Sequence, residues 1–265
     1  MCRALIAAAM AVLLDPAGAA AQSPASAPAL AELFALRAKV GDPDTRVRVT
    51  ALHRVWALAL ASPDPEVKLT ALGLLGEPVG SASDHIRMPA VYAIAEIANS
   101  TEDARVKVQA LSTLTEPLQA GQVPIRDVAI DAVNSITRAG SGNDVALAAL
   151  RVLAPAVRSG NNGVRIPAIN AVVRAAEVAG SDQACRAALD ILMPALESEA
   201  MIGGLEVRMM ALHAVERVGL SAREVGTKAR AMGLLQSYAA KGSWEPEARA
   251  RAQQAAAAIE GSLKP

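Results

Sequence analysis

Val47-Arg-Val-Thr-Ala-Leu-His-Arg-Val55 reads aliphatic, basic, two free positions, Ala, aliphatic, two free positions, aliphatic. The same nine-residue pattern starts again at Ile86, Ile125, Val164, Val207 and Ala248, at spacings of 39, 39, 39, 43 and 41. A second series starts at Val67, Val106, Val145, Ala184 and Thr227, at spacings of 39, 39, 39 and 43. The two series interleave about 20 residues apart. Self-similarity at such a period marks a stacked repeat, in which each unit buries its apolar face only against its neighbours. The unit here is two helices, A (second series) then B (first series).

The columns define the helix faces. The fifth position is Ala in every B copy (Ala51, Ala90, Ala129, Ala168, Ala211, Ala252) and in every A copy (Ala71, Ala110, Ala149, Ala188, Ala231). The ninth position is Leu in A helices (Leu75, Leu114, Leu153, Leu192) and mostly β-branched in B helices (Val55, Ile94, Val133, Val172, Val215). Offsets 0, 4, 5 and 8 fall on one stripe of a helix, and an Ala at its centre lets a neighbouring helix approach closely.

Punctuation agrees. Asp44, Asp64, Asp103 and Asn161 stand where N-caps belong, and Gly41, Gly140 and Gly180 where C-caps belong. Six pairs result, roughly 29–60, 65–99, 104–138, 144–178, 183–219 and 221–260. Pro78, Pro117, Pro155 and Pro194 fall late in A helices, where they are expected to kink or end them. The ends depart from the pattern, with Glu32 in the Ala column of the first A helix and Gln253 and Ala256 replacing core aliphatics in the last B helix. Polar terminal units stop a solenoid from stacking further.

Two segments, Asp42-Pro-Asp-Thr-Arg-Val-Arg-Val-Thr-Ala-Leu and Asp64-Pro-Glu-Val-Lys-Leu-Thr-Ala-Leu-Gly-Leu-Leu-Gly, carry a resemblance to the HEAT-repeat family, particularly its short, phycobilin-lyase-like class. The resemblance covers residues 29 to about 260. It implies an all-α, right-handed α-α superhelix (a HEAT/ARM-like solenoid) of about six helix pairs, filling 29–265 as one domain. Proteins similar to it mostly bind other proteins; a minority bind DNA or carry enzymatic activity.

Composition points the same way. Hydrophobic residues make up 52% and aromatics 2%, and 60 residues are alanine, the best helix former and a poor strand former. The 26 basic residues are matched by 26 acidic ones, so the surplus of cations that a general nucleic-acid binder needs is missing. Residues 1–21 read as a secretory signal peptide: basic Arg3, an apolar run from Ala4 to Leu14, and Ala19-Ala20-Ala21 as a cleavage site. The run is too short to span a bilayer, which takes about 20 residues. Residues 22–28 read as a flexible lead-in. Export is therefore expected, to the periplasm or beyond. Cys185 is then the one remaining cysteine, able to form neither an internal disulfide nor a thiolate cage, and it reads as structural.

No catalytic motif is found, and neither a cofactor nor a metal is expected. His53 and His213 share a column four repeats apart, on the order of 40 Å at helix-packing distances, too far to share an ion. Arg48, Arg87, Arg126, Arg165, Arg208 and Arg249 occupy one position in all six B helices, with Lys68, Lys107 and Lys228 at the same position in A helices. A cation in a first helical turn opposes the helix dipole, so a compensating acceptor is expected nearby. This column reads as a structural ladder onto loop carbonyls and acids; a phosphate- or acid-binding stripe is the other reading.

The outward column of the B helices is polar or aromatic and chemically varied, which suits a protein or peptide partner along the concave side. Its candidate contact residues are His53, Tyr92, Glu96, Asp131, Asn170, Arg174, His213 and Arg217. Glu96 and Asp131 make the middle acidic, while Arg174, Arg217 and Arg251 make the C-terminal half basic. The four-residue insertion in repeat five adds Met201 and Ile202 beside Gly203-Gly204, which reads either as packing onto the adjacent A–B loop or as a partner-contacting knob. The expected function is a non-catalytic, exported interaction scaffold. Its alternatives are a phycobilin-lyase-like enzyme or accessory subunit and, more weakly, a nucleic-acid-binding scaffold.

Overall fold

In the computed structural model, the described residues are 26–120, 122–140, 142–197, 204–241 and 245–263. They form six A/B pairs. α1 (Ala27–Val40) precedes α2 (Thr45–Ala61), and α3 (Pro65–Val79) precedes α4 (Asp84–Asn99). In the third pair the A helix is split into α5 (Ala104–Thr113) and α6 (Thr115–Ala120), followed by α7 (Val123–Arg138). Then come α8 (Gly142–Val157) with α9 (Asn162–Ala179), α10 (Asp182–Leu196) with α11 (Gly204–Ser221), and α12 (Val225–Ala240) with α13 (Pro246–Gly261).

The packing is serial. Each A helix packs on its own B helix and on the next A helix; each B helix packs on the next A and the next B. Two layers result, A helices in one and B helices in the other, with one continuous core between them. All eleven alanines of the Ala columns are buried in that core. Small side chains at these positions let the two layers approach while the flanking Leu, Ile and Val fill the space. Glu32, in the same column of α1, is only half-buried and turns its carboxylate to Arg54 of α2, with Nη2 donating to Oε2 at 2.8 Å.

Local chemistry sets the helix limits. The carboxylates of Asp44, Asp64 and Asp103, and the amide oxygen of Asn161, each accept from the backbone N–H two residues on, satisfying an orphan donor of the first turn. Gly180 ends α9 in the left-handed region at φ +57°, which favours glycine. Gly41 is glycine for a different reason. Its φ is −98°, but a Cβ there would stand 2.7 Å from a carboxylate oxygen of Glu77.

Three sequence expectations need correction. The lead-in does not extend to residue 28, because α1 begins at Ala27 with Pro28 in its first turn, where a missing N–H is harmless. The sixth pair does not begin at Ser221, which closes α11; α12 begins at Val225. The A-helix prolines do not act alike. Pro78, Pro155 and Pro194 lie inside continuous helices, whereas the third A helix breaks at Leu114, three residues before Pro117, where a proline ring crowds the carbonyls of the preceding turn.

Candidate functional site

The basic column lies at the helix junctions. Lys68 of α3 is buried, and its Nζ donates to the Ala59 carbonyl (2.9 Å) at the end of α2 and to Ser100 Oγ (2.7 Å) just past α4. Burial pushes its pKa down. Lys107 of α5, fully buried, donates to the Ala139 (3.1 Å) and Gly140 (2.7 Å) carbonyls past the end of α7. Lys228 of α12 donates to the carbonyl (3.3 Å) and Oγ (3.1 Å) of Ser262 past α13. Each cation opposes the dipole of its own helix but sits on the negative C-terminal end of the antiparallel B helix beside it, which resolves the conflict.

Two arginines of the B helices treat A helices likewise. Arg126 Nη2 donates to the Gln119 carbonyl (3.0 Å) and Arg165 Nε to the Val157 carbonyl (3.3 Å). Arg208 pairs with Glu245 just before α13. Arg48, Arg87 and Arg249 bury Nε atoms that have no acceptor among the described residues. In α10 the basic position is held by Cys185. Its Sγ is 3.6 Å from Ser221 Oγ, in the place where Lys68 meets Ser100 and Lys228 meets Ser262. Burial pushes the Cys185 thiol up, the opposite of what a nucleophilic cysteine requires. Missing from the sequence reading is the serine that lies 32 to 36 residues after Lys68, Cys185 and Lys228.

The outward B-helix column divides into two unlike halves. On α2, His53 is exposed and stacks on Trp56, with ring centroids 5.8 Å apart. Trp56 Nε1 is buried with no hydrogen-bond partner among the described residues. On α4, Tyr92 is 49% exposed and Glu96 is exposed. On α7, Asp131 is exposed, and Asp127, one turn earlier, has a buried oxygen with no partner among the described residues. Burial, and then the charge of Asp131, raise the pKa of Asp127.

On the other half the side chains are tied to each other across repeats. Arg217 of α11 makes a two-pronged ion pair with Glu177 of α9, at 2.9 and 2.6 Å. Arg251 of α13 pairs with Glu216 of α11 and lies 3.3 Å from His213 Nδ1. The basic character expected of the C-terminal half is thereby largely cancelled. A charge listed helix by helix omits the acid one repeat earlier, and the spacings of 40 and 35 residues in these pairs are the signal that reveals it. Asn170 and Arg174 are half-buried on α9, and Arg174 Nε is buried without a partner among the described residues. Met201 and Ile202 lie outside the described residues. No group of three or more His, Cys, Asp or Glu able to hold a metal occurs among the described residues, and no described helix is long and apolar enough to cross a membrane.

Neither a protein family nor a curated protein matches the sequence. Solved structures do. A structure from crescerin, a protein that uses a TOG domain array to regulate microtubules in the primary cilium, is similar at TM-score 0.55 and 14% identity, over 84% of this chain and 88% of that one. A HEAT-like repeat protein from Thermococcus onnurineus NA1 aligns over 91% of this chain and 95% of its own, at 13% identity and TM-score 0.49. A designed armadillo repeat protein in complex with the peptide (KR)4 aligns over 86% and 99%, at 21% identity and TM-score 0.49. The serial packing of six helix pairs, with the likeness at TM-score 0.55, makes the fold an all-α solenoid of the HEAT/armadillo type. At these identities the likeness extends to fold alone.

Proposed function

We propose that this chain is a non-catalytic scaffold that holds a protein or peptide segment across the outward face of α2, α4 and α7. One observation carries the reading: the contrast between the two halves of the B layer. On α11 and α13, Arg217 and Arg251 are paired with Glu177 of α9 and Glu216 of α11. On α2, α4 and α7, Tyr92, Glu96 and Asp131 are exposed without a hydrogen-bond or ion-pair partner among the described residues, and Trp56 and Asp127 keep buried polar atoms unmatched there. An aromatic ledge beside uncompensated carboxylates suits an extended segment that carries a cationic side chain, the aromatics supplying contact area and the acids register. The chain acts after export and removal of residues 1–21, in keeping with the basic start, short apolar run and Ala19-Ala20-Ala21.

Site-specific photo-cross-linking in the producing cell tests both parts. A benzophenone side chain at position 92 is expected to trap a protein partner through a segment containing Lys or Arg, and the same group at position 109, on the A layer, is expected to trap nothing. Adducts from position 109 alone would refute the concave-face reading. N-terminal sequencing of the exported protein is expected to begin at Gln22; an intact Met1 on protein kept in the cytoplasm would refute export.

A further inference from the structure

At the α1 end of the stack an open groove of about 630 Å³ runs between α1 and α2. Leu36, Val47 and Ala51 form its floor, and Lys39, Arg46 and Arg54 stand along its walls. The fold itself shows what such a groove accepts. In every later repeat it is filled by the B helix of the preceding repeat: α2 lies against both α3 and α4, α4 against α5 and α7, and so on to α11 against α12 and α13. The occupant's shape is therefore one amphipathic helix of 16 to 18 residues, the length of the B helices.

Its chemistry follows from the walls. Glu32 neutralises Arg54, but the side chains of Lys39 and Arg46 are exposed and meet no acid among the described residues. The other end of the chain does not supply a match. Where the other B helices bury Leu52, Val91, Ile130, Ile169 and Leu212, α13 exposes Gln253; where they place Ala59, Ala98, Thr137, Ala176 and Gly219, it exposes Glu260. Helix α13 is polar where a seated helix needs its apolar stripe, so continuation by a second copy lacks a hydrophobic drive.

We propose that the α1/α2 groove is a docking site for an acidic amphipathic helix of a partner protein, seated as a preceding B helix would be. Its apolar stripe lies over the half-buried Val47, flanked by the already buried Leu36 and Ala51, and its flanking carboxylates meet Lys39 and Arg46. This site is separate from the concave face of the B layer.

The test is fluorescence anisotropy on the full chain with a labelled 17-residue helical probe. The probe carries Leu and Ala at the core offsets of a B helix and Glu on both flanks; a twin carries Lys in place of Glu. The Glu probe is expected to bind at least about tenfold more tightly than the Lys probe, with the difference shrinking as salt is added. Lys39→Glu with Arg46→Glu, both on exposed side chains, is expected to reverse the preference while leaving the circular dichroism melt unchanged. Tyr92→Ala and Asp131→Ala are expected to leave probe binding unchanged, which keeps this result distinct from the concave-face reading. Equal binding of the two probes, or binding of neither, would overturn the proposal. So would a doubling of the sedimenting mass that Lys39→Glu abolishes, which would give the groove to a second copy. So would a photo-cross-link from position 47 into residues 4–14, which would give it to the chain's own start.

Discussion

Replacing Gly219 by Ala puts the tightness of the stack to a numerical test. Gly219 lies inside α11, and a Cβ built on it would stand 2.8 Å from the Ala231 Cβ of α12 and 2.6 Å from the Ile259 Cδ1 of α13. Carbon atoms in contact prefer roughly 3.5–4.0 Å. Ile259 can change rotamer, but Ala231 has none to change, so α11 and α12 must separate by about 0.7 Å or more at that point. Overpacking of this kind costs about 1–3 kcal/mol. Against it, exchanging Gly for Ala in a helix interior returns about 0.5–1 kcal/mol. The net expectation is a destabilisation of up to about 2.5 kcal/mol. Gly233→Ala, in α12, is the control: nothing lies within 4 Å of its added Cβ, so only the favourable half of the balance applies. Urea titrations followed by far-UV circular dichroism are expected to move the two midpoints in opposite directions. A Gly219→Ala protein as stable as Gly233→Ala would refute the close approach of α11, α12 and α13.

Ala129→Leu, at a fully buried position of the central repeats, is expected to cost about 1–3 kcal/mol, measured by the same titration. Lys107→Met strips the Ala139 and Gly140 carbonyls of their donor and is expected to cost about 1–3 kcal/mol, whereas Lys228→Met, at the exposed end of the stack, costs less. Asp127→Asn is expected to raise stability at neutral pH. The folded pKa of Asp127 lies above its ordinary 3.8, so its stabilising contribution is full below 3.8 and is lost as pH rises through the folded value. Thermal melts at neutral pH and near pH 3 should show the Asn advantage fading in acid; an advantage that grows in acid would contradict the sign. Cys185 is expected to react with a disulfide reagent only as fast as the protein opens, read as absorbance with and without urea.

The fold was legible because repetition multiplies weak signals. One Ala among aliphatics says little, but Ala at the same offset in eleven helices fixes the register, and every one of them is buried. Asp44, Asp64, Asp103 and Asn161 were equally legible, since an N-cap acts within two residues of itself. What escaped the sequence depends on neighbours a repeat away. Glu177 and Glu216 reach Arg217 and Arg251 only after the helices are stacked, so the groove's charge could not be summed along the chain. The break at Leu114 escaped for another reason: Pro117 occupies the same column as Pro78, inside a continuous α3, and the column alone does not separate them.

The buried Lys68 bears on how the stack comes apart. A linear array has no contacts between distant repeats, so its ends can open independently of its middle. Lys68, however, belongs to the second pair, while one of its acceptors is the Ala59 carbonyl of the first. Peeling α2 away leaves a cation that had been stripped of water with Ser100 Oγ as its remaining acceptor. The first and second pairs are therefore coupled in opening. In native-state hydrogen exchange the amides of α2 and α3 should behave as one cooperative unit, and Lys68→Met should split it in two.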